Sequence, residues 1–285
     1  MTFLNNILNK FKSFNISEKI ILVNVILFVI PFFLKSIFYL FDFPVSSLMG
    51  WFKLSPEIIT FIYRPWTLIT YSFIHGGINH VLWNMLLLYF SSKLFLNLFS
   101  SQKFINTYFL GIIFGGIIFI LSYSFFPVFK ESYPNLIGSS AGVMAVFIFV
   151  CTYSPNQEIR IIFFNLKLQY LGILIVLLDV IQIPSGNAGG NLAHLGGALF
   201  GFIYANQLQR GNDVGFYFEK IWVFLESNFE KSNNLKTVYK TKKNLNNKES
   251  NNQKKIDIIL DKISKSGYDS LSNDEKDFLF KIGKN

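Results

Sequence analysis

The chain of 285 residues contains one cysteine, Cys151, and three histidines, His75, His80 and His194. A single thiol excludes a disulfide scaffold and any cysteine-rich zinc site. Charge is scarce as well: Asp, Glu, Lys and Arg make up 15% of the sequence, against about 25% in an ordinary soluble domain. The scarcity is uneven, since residues 1–205 hold 11 Lys/Arg and 6 Asp/Glu while the last 80 positions hold 15 and 11. The first part therefore reads as lipid-embedded and the second as a water-facing tail, which excludes a collagen-like, coiled-coil or wholly disordered chain.

What is abundant is apolar: 51% of the residues are hydrophobic and 18% aromatic. Crossing a hydrocarbon core of roughly 30 Å takes about 20 apolar residues in a helix. Six spans are expected, at Ile20–Phe41, Val81–Phe99, Phe104–Phe126, Ser140–Tyr153, Leu168–Ile183 and Asn191–Gln207. Lys10, Lys12 and Lys19 precede the first run and a lysine-rich tail follows the last, so both termini are expected on the cytoplasmic side. The first run is too long for a signal peptide and no small-residue cleavage site follows it, so it reads as a retained anchor. The net charge of +9 forms no basic stripe with interleaved aromatics, and no nucleic-acid partner is expected. The lipid bilayer is the expected surrounding.

The fourth run has only 14 residues and cannot span unaided. If the loop before it dips into the protein, the helix begins at mid-membrane depth near Gly138-Ser139-Ser140, where irregular backbone is tolerated only beside protein or water. The loop Asp42–Asn79 is rich in aromatics and is expected at the headgroup level. After the spans, residues 211–230 have the spacing of an interfacial amphipathic helix, with Val214, Phe218, Ile221, Trp222, Leu225 and Phe229 recurring. Residues 231–255, rich in Asn, Lys and Ser, read as a flexible linker. Residues 256–285 read as a small cytoplasmic helical hairpin, with Gly267 as a stop and a capping box at Ser272 and Glu275. Such a hairpin is too small for a core of its own. With residues 1–19 as a cytoplasmic segment and 20–210 as the membrane domain, the expected class is an all-α membrane protein, a six-helix bundle with a short helical tail.

Polar side chains inside spans are costly and mark function by default. His80 and Asn84 stand four apart on one face of the second span; Ser140 opens the short fourth helix and His194 lies near the outer start of the sixth. In the deduced orientation all four fall in the outer half of the membrane. A serine becomes a nucleophile when a base takes its proton, and His194 has the right chemistry. His80, Asn84 and the free N–H groups of the Ser140 helix can stabilise an oxyanion. Gly197 and Gly201 form G-x-x-x-G after His194, and Ala141 and Ala145 repeat that small-residue spacing after Ser140, so the two helices can approach closely. Only a dyad is expected, because the sole acid in the later spans, Asp179, reads as a residue near the outer end of the fifth span.

These residues resemble the rhomboid family of intramembrane serine proteases. The resemblance runs from Arg64 to Gly201, through Arg64 with Trp66, His75-Gly-Gly-Ile-Asn-His80-Val-Leu-Trp-Asn84, Gly138-Ser139-Ser140 and Ala193-His194-Leu-Gly-Gly197-Ala-Leu-Phe-Gly201. It implies Ser140 as nucleophile, His194 as general base, His80 and Asn84 as oxyanion stabilisers, and Arg64 as organiser of the first loop. It further implies single-span membrane proteins as substrates, no cofactor, and a multi-pass position in the bacterial inner membrane. The family usually has Gly after the serine; here Ala141 stands there, and its methyl is expected to pack against the sixth helix.

Each residue has a plainer alternative. His80 and Asn84 can be an interhelical hydrogen-bonded pair, Ser140 an N-cap, the glycines packing alone, His75 part of the helix start, and Cys151 apolar filler. Zinc is disfavoured because His75 and His80 are five apart and no His-Glu-x-x-His occurs. A transporter should show repeat symmetry, which is missing. The remaining rival is a catalytically inactive rhomboid-like binder or chaperone, which should lack Ser140 or His194.

Overall fold

Asn15 starts the first helix, α1 (Ile16–Leu40), four residues before the expected apolar run. In the computed structural model its side chain accepts from the Glu18 N–H at 3.0 Å, while the Glu18 carboxylate accepts from the Asn15 N–H at 2.8 Å. This capping box satisfies two of the donors that a helix start leaves free. The structure describes residues 5, 10–42, 49–130, 133–161, 164–221 and 243–282. They belong to two units, Met1–Asn228 and Phe229–Asn285.

In the first unit, the loop after α1 carries two short helices, α2 (Ile58–Tyr63) and α3 (Thr67–Thr70), followed by α4 (Ile78–Leu98) and α5 (Ser101–Phe125). Next come α6 (Ser140–Tyr153), α7 (Leu168–Gln182) and α8 (Ala188–Gln209). Helices thus lie at all six places where spans are expected. Among the described residues, four stretches are long and apolar enough to cross a membrane: α1, α4, α5 and Leu168–Ser185. α6 is too short, and α8 is diluted by glycines, Asn191, His194 and Asn206.

The core is built around α6, in which every residue from Ala141 to Cys151 is buried. A helix apolar on all sides belongs in the middle of a bundle. Glycines on both neighbours let it in. A Cβ at Gly197 or Gly201 of α8 would fall on the carbonyl oxygens of Ala141 and Ala145, and one at Gly111 or Gly115 of α5 would meet the methyls of Ala145 and Ala141. The same two alanines are therefore gripped from opposite sides. The Ala141 methyl faces Gly115 of α5, and it is the Ala141 carbonyl that meets α8, which corrects the expectation that the methyl packs against the sixth helix.

The first unit is not purely helical, a departure from the all-α class. Between α6 and α7 lies an antiparallel hairpin of β1 (Glu158–Ile161) and β2 (Phe164–Lys167). Its register sets Glu158 opposite Lys167 and Ile159 opposite Leu166, pairs that stabilise two short strands. Of the interfacial helix expected at 211–230, residues 211–215 are turn and loop and helix begins at Phe216. Trp222, Leu225 and Phe229 lie outside the described residues. At that end Lys103 pairs with Asp213 at 2.6 Å and the Tyr204 hydroxyl donates to Asp213 at 2.7 Å. Burial works to raise the Asp213 carboxyl, but these bonds outweigh it and hold it below its usual range.

In the second unit, α9 (Lys243–Ser266) starts well inside the stretch expected as a linker. The sequence 243–266 has no Pro or Gly, and polar composition does not exclude helix where Lys, Glu and Asn can all be solvated. Gly267, at φ 78°, ends it. α10 (Asn273–Ile282) opens on the expected box, the Ser272 N–H donating to Glu275 at 2.8 Å, and Lys262 bridges back to Glu275 at 2.9 Å.

Because the obstacle at Gly197 is backbone, Gly197→Val should lower stability by about 1–3 kcal/mol. Gly50→Ala, which meets nothing within 4 Å, should change little. Thermal unfolding of the two variants in detergent tests this; equal melting would show that the close approach does not matter.

Candidate active site

The loop before α4 and the strand-like segment before α6 are tied together by backbone. Leu54 and Leu136 exchange hydrogen bonds of 3.2 and 2.8 Å, and the Gly138 N–H donates to the Tyr71 carbonyl at 3.0 Å. Tyr71, fully buried, donates its hydroxyl to the Ile112 carbonyl on α5 at 2.7 Å. Arg64 supports this loop from outside. Its guanidinium lies 4.1 Å over the Trp51 ring, the Trp66 indole N–H donates to the Trp51 carbonyl, and Thr67 bonds to the Arg64 carbonyl through both N–H and hydroxyl. These contacts all lie within the loop before α4.

Gly138 adopts φ 106°, a left-handed conformation that favours glycine, and a Cβ there would lie 2.5 Å from His80 Nε2. The turn thus delivers the chain to α6 directly against the His80 ring. Ser139 takes the N-cap position and Ser140 is the first helical residue, so the Ser140 hydroxyl is not spent as a cap. It lines a cavity of about 580 Å³ together with His80 of α4 and His194 of α8. Phe119 and Tyr123 of α5 and the turn Pro184–Asn187 complete much of the wall. Ser140 and His194 share this cavity without a direct hydrogen bond.

His80 Nδ1 accepts a long bond of 3.4 Å from the Gly76 N–H. In the neutral ring that leaves the proton on Nε2, the atom beside Gly138. Asn84 sits one turn further along α4, buried, with its Nδ2 unpartnered. The cavity wall brings Ser140, His194 and His80 together; Asn84 is not among the lining residues but follows His80 by four positions on the same face of α4. A buried amide N–H₂ without a partner is costly. Gly197 and Gly201 occupy the α8 face against α6.

One contact escaped the sequence. Asp179 of α7 faces His194, with Oδ1 2.9 Å from Nδ1. The pair is largely shielded, the side chains of His194 and Asp179 keeping 23% and 13% of their exposure. The available signal was position: Asp179 and His194 lie almost symmetrically about the turn at Gly186, so in an antiparallel helical hairpin they stand at similar depth. His75 was underweighted too. It is buried, its Nε2 is 3.3 Å from Ser139 Oγ and its ring packs edge-on against His80 at 5.2 Å. Among the described residues no three His, Cys, Asp or Glu side chains cluster as a metal site requires.

Burial, reinforced by the neighbouring His80, pushes the His75 ring down to about 4. Between about 6.5 and that value the unfolded chain binds a proton that the folded chain refuses. The stability His75 contributes is thus intact above about pH 6.5 and is lost as pH falls toward 4. An NMR titration of labelled histidine should find His75 neutral at pH 5.5, and a ring already protonated there would contradict this environment.

Comparison with known proteins covers both units. Residues 63–210 match the Rhomboid domain, and residues 239–284 match a family of unknown function (DUF6576). RHOMBOID-like protein 12, mitochondrial, of Arabidopsis thaliana is 27% identical over 160 residues, covering 52% of this chain and 48% of the relative. Presenilin-associated rhomboid-like protein A, mitochondrial, of Danio rerio is 30% identical over 169 residues, covering 53% of this chain and 37% of the relative. The match thus spans half or less of these relatives' length. Both carry a mitochondrial designation, which departs from the bacterial inner membrane expected above.

Proposed function

The chain belongs to the rhomboid family of membrane proteins, and from that premise we propose that it is an intramembrane serine endopeptidase. The observation that carries the proposal is the single cavity into which three helices deliver Ser140, His194 and His80. In the proposed reaction His194 Nε2 takes the Ser140 proton as Oγ attacks the scissile carbonyl carbon. The C–O bond forms and the carbonyl electrons become an oxyanion, held by N–H groups of His80 and Asn84 and by the free N–H groups at the start of α6. The proton then passes from His194 to the leaving amine as the C–N bond breaks, and water releases the acyl group by the same steps in reverse.

Substrates are proposed to be single-span membrane proteins entering past α7. That helix buries only Leu168 and Gly172, and large apolar residues such as Ile173, Leu177 and Ile181 remain exposed along it. A helical substrate must unwind to present its carbonyl, which favours helix-breaking and small residues near the cut. In the proposed topology α1, α4, α5, α6, α7 and α8 lie in the bilayer, α6 starts at mid-depth, and both termini are cytoplasmic. The second reading, an inactive rhomboid-like binder, is favoured by the absence of a direct Ser140–His194 bond.

Reconstituted with a model transmembrane substrate, the wild type should cleave, and Ser140→Ala or His194→Ala should abolish cleavage with folding intact. Asn84→Ala should lower turnover on the order of 10²–10³-fold with little change in KM. A wild type without activity that still binds the substrate would favour the binder. Activity in Ser140→Ala would exclude the proposed nucleophile.

A further inference from the structure

The catalytic groups proposed above amount to a dyad, yet His194 is held from behind. We infer that Asp179 is a positioning residue for His194, making the working unit Ser140–His194–Asp179. The inference rests on the serine-protease reading and adds to it a part that a two-residue mechanism does without.

A carboxylate only accepts hydrogen bonds. With Oδ1 at 2.9 Å, the proton of a neutral imidazole is held on Nδ1, and Nε2 is left with its lone pair free. That tautomer is the one able to take the serine proton; the opposite one would present N–H to Ser140 and could take nothing. When the proton arrives at Nε2 the ring becomes positive beside a negative carboxylate, so the pair is stronger in the transition state than before it. Both side chains are mostly removed from water, so this gain is weakly screened.

The surroundings leave Asp179 few other tasks. It is the only acidic residue of α7, and among the described residues His194 is its only hydrogen-bond partner, Oδ2 being buried without one. The other titratable side chains of the cavity are His80 of α4 and Tyr123 of α5. Neither is bonded to His194 Nδ1. An acid in a mostly apolar helix is costly to keep, and among the described residues its one hydrogen bond is to the ring of the proposed base. The plain alternative is a tether: α7 is loosely packed, and the bond could do no more than pin it to α8.

Two measurements on the full-length chain in proteoliposomes separate these roles. The first is cleavage of a model transmembrane substrate, and the second is the rate at which a small fluorophosphonate labels Ser140, a reaction that needs an activated serine but no entry of a large substrate. Asp179→Asn should lower kcat by about 10²–10⁴-fold with KM nearly unchanged, and the labelling rate should fall in parallel. Asp179→Glu, which restores the charge, should recover part of both. Labelling at the wild-type rate in Asp179→Asn, whether or not cleavage drops, would reduce the contact to a tether and overturn the inference. A nitrogen NMR spectrum of labelled histidine in the wild type needs no variant: it should find the neutral His194 ring protonated at Nδ1, and protonation at Nε2 would overturn it equally. A wild type that neither cleaves nor labels would instead remove the serine-protease reading, and the positioning role with it.

Discussion

The close approach of α6 to its neighbours is the constraint on which the rest of the site depends. A helix of 14 residues cannot cross a bilayer unaided. The absence of side chains at Gly111, Gly115, Gly197 and Gly201 lets two longer helices close on Ala141 and Ala145 from either side. In lipid, where apolar burial does not drive helices together, such van der Waals contact is the main source of association. Ser140 precedes the first gripped alanine and His194 comes one turn before Gly197. The packing contact and the proposed catalytic pair therefore share one coordinate frame, and a displacement of α6 along its axis would carry the Ser140 hydroxyl away from the His194 side of the cavity.

Around that grip, the site is finished by backbone and by paired polar groups. The Leu54–Leu136 bridge and the Gly138–Tyr71 bond fix the segment entering α6, and Arg64 stacks on Trp51 within the loop before α4. Each His is oriented differently. His80 accepts at Nδ1 from backbone and so offers a donor to the cavity, whereas His194 faces a carboxylate at Nδ1 and so offers an acceptor. Two identical side chains can thus take opposite roles because their second nitrogens have opposite partners.

The helices and the small-residue faces were legible in the sequence, since hydrophobic run length and i, i+4 spacing are local properties. So was the tail's box at Ser272 and Glu275. The box at Asn15 and Glu18 used the same signal and was passed over because the apolar run starts later. The β hairpin was missed because four-residue strands carry almost no periodicity, and the start of α9 because polar composition was equated with disorder. Ser140, His80 and His194 could be nominated from position and chemistry, and the cavity brings them together. Asn84 was nominated with them and follows one turn after His80, outside the lining itself, with its N–H₂ unpartnered. Asp179 could not be assigned from spacing alone: its partner is on the next helix, and the turn between them decides whether the two faces meet.

The most direct measurement is a crystal structure of the chain after reaction with a fluorophosphonate, whose tetrahedral phosphorus stands in for the carbon of the tetrahedral intermediate. Phosphorus should be bonded to Ser140 Oγ, with the phosphoryl oxygen in hydrogen-bond reach of His80 Nε2 and Asn84 Nδ2 and α6 still seated on the glycines of α5 and α8. An unmodified Ser140, or an adduct whose oxygen turns away from both donors, would contradict the proposed chemistry.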